Sequence, residues 1–557
     1  MTSIDNDTQP LLGEAWGFVD DIVFTATRFY HSSSIFARLA TAALLFCFSA
    51  SLLSARRPRV PGAKLHGFKG WWEPTFSLKT RFIYDAQSII NSGYAKFKDV
   101  PFVLRRHDFD IHVIPMKYMQ ELRLVPRKDF NAKMVHYENL FSSWPWASAI
   151  RDSDLHVAVL SRKLTPELGK YLEAAHEELE HGWAQDIPRP TDWTEVDVQQ
   201  SIRMLVARMS ARVFVGRPAC RDATWLDVTI NFSMDLFLAG FALRMFPPWM
   251  HFLVKPLIPA RRRVQRQLDV GTEVVQDLMQ RREQRRGRQA EGQPDDGVEG
   301  EEEETLFDWM VDHAVGKEGT LEDMAARQFI LTLASIHTTA TTASHVLFDM
   351  IAHPEWIEVL REEVDDTVRQ HGDVGQSMPI KAWLKHLEKM DSFIVESQRM
   401  NPAILLSPQR IAMKPMVLKD GTRIPQGSRI AWPGPQHSHD PSVTPHPHSF
   451  DPMRSYRKRR AGRDGENMHR FVVGQTNPDD MSFGYGGQAC PGRYFAAAEM
   501  KLLLMRLLRE FDFAPSSEAA AGDRKRPRSI TADENVILDP AAKVMMRRRR
   551  GAQEGVP

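Results

Sequence analysis

A mainly α-helical domain carried behind a single N-terminal transmembrane helix is the fold class this sequence predicts, and three stretches predict it. Residues 34–54 form an apolar run with one charge, Arg38. Residues 329–342 and 391–400 sit in helical patterns. A glycine-rich loop ending at Cys490 runs straight into a further helical pattern.

The anchor follows from length and flanking charge. About 20 apolar residues cross a bilayer, and Arg38 lies near enough to one end of the run to snorkel. Arg56, Arg57 and Arg59 come next, and the positive-inside tendency keeps them cytoplasmic, with residues 1–33 in the lumen. Pro58, Pro61 and Gly62 make residues 55–62 a stiff, basic hinge. A cleaved signal peptide is the alternative, but the run starts deep and no basic segment or small-residue cleavage site precedes it. In this orientation Asn6-Asp7-Thr8 is a glycosylation acceptor. The main domain then covers residues 63–545, and residues 546–557 form a basic tail.

Composition excludes some classes. A formal net charge of +1 argues against a nucleic-acid binder. Three scattered cysteines, Cys47, Cys220 and Cys490, are too few for a disulfide framework or a zinc cluster, which places the domain in a reducing compartment. Residues 283–304 are charged and nearly free of apolar side chains, so they are expected to form a mobile acidic loop between helices. Residues 232–258, with Met234, Phe237, Phe241, Met245, Phe246, Trp249 and Met250, suit either a lid over an apolar pocket or an ordinary helix core.

Four motifs carry chemistry. The run Ser335-Ile336-His337-Thr338-Thr339-Ala340-Thr341-Thr342 is a poor helix by propensity, since its hydroxyls compete for backbone groups, so something other than helix stability selects it. Glu396 and Arg399 share one helix face, and taken alone such a pair is a weak surface bridge. Phe450-Asp451-Pro452-Met453-Arg454 follows downstream. In Phe483-Gly484-Tyr485-Gly486-Gly487-Gln488-Ala489-Cys490-Pro491-Gly492 the glycines permit tight turning and close approach to a flat ligand. There a Cys490 thiolate would accept backbone N–H groups at the mouth of a helix, and Pro491 starts that helix without needing a donor.

Together these motifs resemble those of the cytochrome P450 family. Phe483, Gly486, Cys490 and Gly492 fill the fixed positions of its haem signature F-x-x-G-x-x-x-C-x-G. The roughly three or four domains that 557 residues suggest then yield to one large helical haem domain with small β-sheets. The resemblance implies that Cys490 ligates the iron of haem b. It sets Gln488 where many members direct His or Arg at a haem propionate, making that contact neutral, and makes Arg410 a further propionate candidate. It joins Glu396, Arg399 and Arg454 in a network behind the haem, important for folding and haem retention rather than catalysis. In the distal helix it puts Ala334 and Ser335 at a small-residue kink, His337 at the usual acid position and Thr338 as the alcohol that orients proton-delivering water. Two alternatives stand beside this: the Thr338 hydroxyl satisfied by its own helix, and His337 filling space rather than relaying protons. Trp144, Trp146, Arg151 and His156 lack the spacing of the family's Trp-x-x-x-Arg pattern and are assigned no propionate.

The implied activity is a haem-thiolate monooxygenase that hydroxylates or otherwise oxidises a lipophilic small molecule. No flavin or nicotinamide fingerprint is evident, so NADPH serves only through a partner, NADPH-cytochrome P450 reductase. Stretches at 203–216 and 306–310 resemble fungal secondary-metabolism members near ent-kaurene oxidase-like ones, which implies a terpenoid, polyketide or indole-derived substrate. The implied location is the endoplasmic reticulum membrane, with a cytosolic domain. Two rivals are a haem-thiolate isomerase or dehydratase needing no redox partner, and a non-enzymatic haem or lipid sensor.

Overall fold

The computed structural model describes residues 59–246, 250–291, 304–461, 466–516 and 526–549. The expected luminal segment, the anchor at 34–54, the start of the hinge, residues 292–303 of the acidic loop and the tail from residue 550 lie outside the described residues.

Nine helices matter to the site: α1 (Thr75–Lys96), α2 (Leu168–Asp186), α3 (Val198–Phe214), α4 (Ala223–Arg244), α5 (Pro259–Ala290), α6 (Leu321–Ala352), α7 (Glu355–His371), α8 (Glu388–Met400) and α9 (Arg493–Glu510). Helix α6 is the hub, packing against α3, α4, α5, α8 and α9. Its first turn is capped by the Thr320 side chain accepting the Asp323 N–H, with Glu322 and Asp323 favouring the positive end of the dipole. Apolar side chains leave α6 on nearly every side, from Met324 and Phe329 to Val346 and Met350, as expected of a fully enclosed helix. Its hydroxyls do no harm there because Thr332, Thr338, Thr342 and Ser344 donate to carbonyls four residues back.

Helix α4 answers the choice left open for residues 232–258. It is long and apolar enough to cross a membrane, the one such helix among the described residues, yet half of that apolar window is buried inside the protein. Phe232, Leu236, Ala239 and Leu243 enter the core, whereas Met234, Phe237 and Leu238 are exposed. The segment therefore belongs to the core on one face and presents apolar side chains on the other.

Helix α9 is buried from Phe495 to Leu508 and carries an acid among its apolar residues. Glu499 is fully buried, its carboxyl accepts from Ser210 Oγ of α3 at 3.1 Å, and burial pushes its pKa up to about 8.

Besides the short hairpin Met416–Val417 with Arg423–Ile424, the strands among the described residues are β1 (Lys64–Leu65), β2 (Phe102–Arg105), β3 (Asp110–Val113), β4 (Phe130–Asn131), β5 (Thr194–Val196), β6 (Gln409–Ala412), β7 (Arg429–Ala431), β8 (Phe511–Pro515), β9 (Ser529–Ala532), β10 (Asn535–Leu538) and β11 (Val544–Arg548). A six-stranded sheet runs β1-β2-β3-β7-β6-β4, with β3 and β7 parallel and Ile111 opposite Arg429. A second sheet runs β8-β11-β5. β9 and β10 form a hairpin in register Ala532 with Asn535, closed by the two-residue turn Asp533-Glu534.

Candidate functional site

The loop before α9 is built by its own backbone. Gly484 N–H donates to Met481 O and Cys490 N–H to Phe483 O, each at 2.8 Å, and Ala489 N–H donates to Gly486 O at 3.1 Å. Gly486 has φ +78°, and a Cβ on it would lie 2.3 Å from the Arg123 carbonyl oxygen. Glycine is required there on both counts. The Gly487 N–H donates to that same carbonyl at 2.9 Å.

This loop presents Cys490 at the head of α9 with an accessible side chain. Burial raises the thiol pKa, while the Gly492 N–H and the Arg493 charge pull it down; the net shift is upward. The expected hydrogen bonds are therefore present but do not ionise the thiol by themselves. A bound metal would do so.

Gln488 does something other than expected. Its Oε1 accepts the Ala132 N–H at 2.9 Å and its Nε2 donates to Phe130 O at 2.6 Å and Val125 O at 3.4 Å. The amide is spent fastening the cysteine loop to the 125–132 segment, which corrects its assignment to a propionate. Arg410, on β6, is 1% exposed and donates to Leu122 O and Tyr485 O, both at 2.8 Å. Burial lowers its pKa to about 10, no carboxylate among the described residues pairs with it, and its Nε has no acceptor there.

On α6, Ala334 and Thr338 are exposed one turn apart on a helix otherwise enclosed. The helix continues through Ala334 and Ser335, and access there comes from small side chains. Thr338 Oγ1 donates to Ala334 O at 2.6 Å. The His337 ring, through Nε2, bonds the Ile230 carbonyl of α4 at 2.8 Å, and burial pushes its pKa down to about 4. It is neutral at physiological pH, with one nitrogen committed to tying α6 to α4.

The third group, Glu396 with Arg399 and Arg454, comes together as the family resemblance implies. Arg399 Nη2 and Nε donate to the buried Glu396 carboxylate at 2.7 and 2.9 Å, Arg454 Nε joins at 3.2 Å, and the Asp451 N–H adds a bond at 3.0 Å. Arg399 also donates to Pro447 O at 2.6 Å and Arg454 to Pro445 O at 2.8 Å, so one carboxylate organises the whole 445–454 stretch. A cavity of about 160 Å³ is lined by these three side chains and by Thr342, Ala403, Ile404, Ser407 and Met481.

Elsewhere, Trp144 is buried beneath the Arg261 guanidinium, Trp146 meets Phe141 edge-on, Arg151 pairs with Asp152, and His156 abuts Arg327. No sequence pattern marks the Arg123 carbonyl, whose partners lie more than 350 residues away.

The family model for cytochrome P450 matches residues 155–536. The chain belongs to this family. Among curated proteins, a cytochrome P450 monooxygenase, ATR4 of Stachybotrys chlorohalonatus, is 42% identical over 530 residues, covering 94% of this chain and 98% of its own. The ent-kaurene oxidase P450-4 of Gibberella fujikuroi is 37% identical over 489 residues, covering 87% and 92%. The retinoic acid-bound cyanobacterial CYP120A1 structure shares the fold, with a TM-score of 0.61 and 17% identity over 88% of this chain and all of that one.

As a cytochrome P450 the protein is a monooxygenase that uses haem b on a cysteine thiolate, with NADPH supplied through a reductase. Its residues fit that group: an accessible cysteine at a helix N-terminus, a buried arginine with no acid partner among the described residues, and Gly492, whose Cβ position meets no other described residue within 4 Å beyond its chain neighbours.

Proposed function

We propose that Cys490 would hold the haem iron through its sulfur, with Phe483, Gly486 and Gly492 shaping its loop, Arg410 binding a propionate and Thr338 serving proton delivery. The accessible Cys490 at the head of α9 and the accessible Thr338 on the core helix α6 carry this reading. The substrate is a lipophilic terpenoid, polyketide or indole-derived metabolite, a reading supported by the likeness to fungal monooxygenases. The electron donor is NADPH-cytochrome P450 reductase. Residues 34–54 anchor the protein in the endoplasmic reticulum membrane with its domain in the cytosol.

When bound, the haem supplies dioxygen activation and transfer of one oxygen atom to the substrate. Cys490 offers the charge that binds the iron, its ionised form favoured by the Gly492 N–H and Arg493. The Thr338 hydroxyl has its proton committed to Ala334 O, which leaves its oxygen as an acceptor able to hold a water in place. Glu396, Arg399 and Arg454 brace the stretch leading to the cysteine loop. His337, neutral and bound to Ile230 O, acts as a helix tie rather than a proton relay.

The test is NADPH- and reductase-dependent oxidation of extracted fungal lipophilic metabolites by microsomes carrying the chain, beside Thr338→Ala and Cys490→Ala. A product heavier by one oxygen, lost with Cys490→Ala and uncoupled with Thr338→Ala, is expected. An isomeric product formed without NADPH would replace the monooxygenase by an isomerase.

A further inference from the structure

Two side chains reach the cysteine loop from outside it, and both bond to its backbone carbonyls. Arg493, the first residue of α9, donates through Nη1 to Cys490 O at 2.7 Å. Its guanidinium lies 4.4 Å from the centre of the Tyr494 ring, and its Nη2 donates to Tyr494 Oη at 3.2 Å, so the cation is held beside the cysteine. The backbone at Gly474 backs onto this corner: a Cβ there would lie 3.3 Å from Arg493 O and from the Tyr494 ring. Thr165, in the link before α2, stands 326 residues before Pro491 in the chain, yet its hydroxyl reaches Pro491 O at 3.3 Å while also donating to Leu160 O at 2.8 Å.

These carbonyls matter because of the groups that share their peptides. The Gly492 and Arg493 N–H groups both hydrogen-bond the Cys490 sulfur. Pro491 O and the Gly492 N–H are two ends of one peptide group. Gly492 O and the Arg493 N–H are the ends of the next, and that carbonyl accepts the Ala496 N–H at 3.0 Å. A carbonyl that accepts a hydrogen bond polarises its peptide and strengthens the donor at the other end, by about 10–30% per bond. Thr165 therefore acts on the sulfur through the Pro491–Gly492 peptide without touching it. Arg493 acts more strongly, because its charge sits in the same turn and its bond to Cys490 O is charge-assisted. The turns of the loop itself are closed by Met481 O, Phe483 O and Gly486 O, without either side chain.

We infer that Arg493 and Thr165 are positioning residues for the iron ligand: both draw electron density from the Cys490 sulfur, and together they raise the potential at which the haem iron is reduced. This rests on the haem placement proposed above. The reduced state carries one more electron, so a positive charge beside the sulfur favours it, and removing that charge lowers the potential.

The haem-loaded full chain is titrated with dithionite in the presence of redox dyes, which frees the readout from any partner reductase, and the iron–sulfur stretch is followed by resonance Raman. Arg493→Gln is expected to shift the equilibrium about tenfold toward oxidised iron, the scale of one lost charge-assisted hydrogen bond, or about 59 mV for one electron. The iron–sulfur stretching frequency should rise with it. Arg493→Lys keeps the charge without the planar fork and should stay within about threefold of the parent. Thr165→Val should shift the equilibrium about twofold in the same direction, and Thr165→Ser, which keeps the hydroxyl, should restore the parent value. An unchanged potential and stretching frequency in Arg493→Gln, or equal behaviour of Thr165→Val and Thr165→Ser, would overturn the inference. Should Arg493→Gln take up no haem, the Thr165 pair decides, since that residue lies outside the loop. A parent whose carbon monoxide complex lacks a thiolate-type Soret band would count instead against the haem placement.

Discussion

Three glycines of the cysteine loop make separable predictions because each meets different surroundings. Gly486→Ala forces an L-residue into φ +78° and sets a methyl carbon 2.3 Å from the Arg123 carbonyl oxygen and 2.7 Å from Arg123 Cβ. The left-handed conformation costs about 1–2 kcal/mol and the overpacking about 1–3 kcal/mol, since backbone cannot swing aside as a side chain would. The total of about 2–5 kcal/mol corresponds to a Tm drop of roughly 2–4 °C in a chain of this length. Gly487→Ala brings its methyl only to 3.8 Å from that oxygen, an ordinary contact, and should change stability by less than about 0.5 kcal/mol. Gly492→Ala meets no protein atom within 4 Å, so any obstruction it causes is with the haem itself. The assay is soluble yield, thermal unfolding by circular dichroism and haem-to-protein ratio for all three. Gly486→Ala should lose both stability and haem, Gly487→Ala neither, and Gly492→Ala haem at undiminished soluble yield. Equal behaviour of the 486 and 487 variants would refute the steric reasoning, and a fully loaded Gly492→Ala would refute placement of the haem against that glycine.

Glu499→Gln should stabilise the protein in a pH-dependent way: the folded-state pKa is about 8 against an unbound value of 4.5, so the parent loses stability as pH rises between them, by about 1.4 kcal/mol per unit, and the variant does not. Urea unfolding at pH 5 and pH 8 checks this, and an equal gap between variant and parent at both would contradict it. Glu396→Gln strips two buried guanidiniums of their carboxylate and should cost about 3–5 kcal/mol with loss of haem, whereas Asp366→Asn, breaking an exposed pair with Arg369, should cost under about 1 kcal/mol. His337→Asn should leave the pH profile of turnover between 6 and 8 unchanged, because the imidazole of the parent titrates near 4; a displaced profile would restore it as a proton relay.

Motifs confined to a few consecutive residues were legible without coordinates. The Cys490 loop and the Glu396–Arg399 spacing encode their geometry locally, in glycine dihedrals and in the helical repeat. The Ser/Thr run of α6 could be recognised as helix despite its poor propensity, and enclosure by five other helices is what prevails over that propensity. Gln488 was misread because its partners, Val125, Phe130 and Ala132, lie more than 350 residues earlier, and an amide satisfied by backbone leaves no sequence trace. The bond from Thr165 to Pro491 O is hidden for the same reason. Residues 232–258 were ambiguous because a core face and an exposed apolar face have the same composition.

The Glu396 carboxylate, shared by two arginines and a backbone amide, also bears on how such a chain can vary. Replacing Glu396 would leave two arginines without their shared carboxylate, whereas replacing Arg454 would leave the Glu396–Arg399 pair intact, so the carboxylate is the position least free to change. Such a constraint is local to one carboxylate, and it is why a motif of two residues three apart carries structural meaning in a chain of this length.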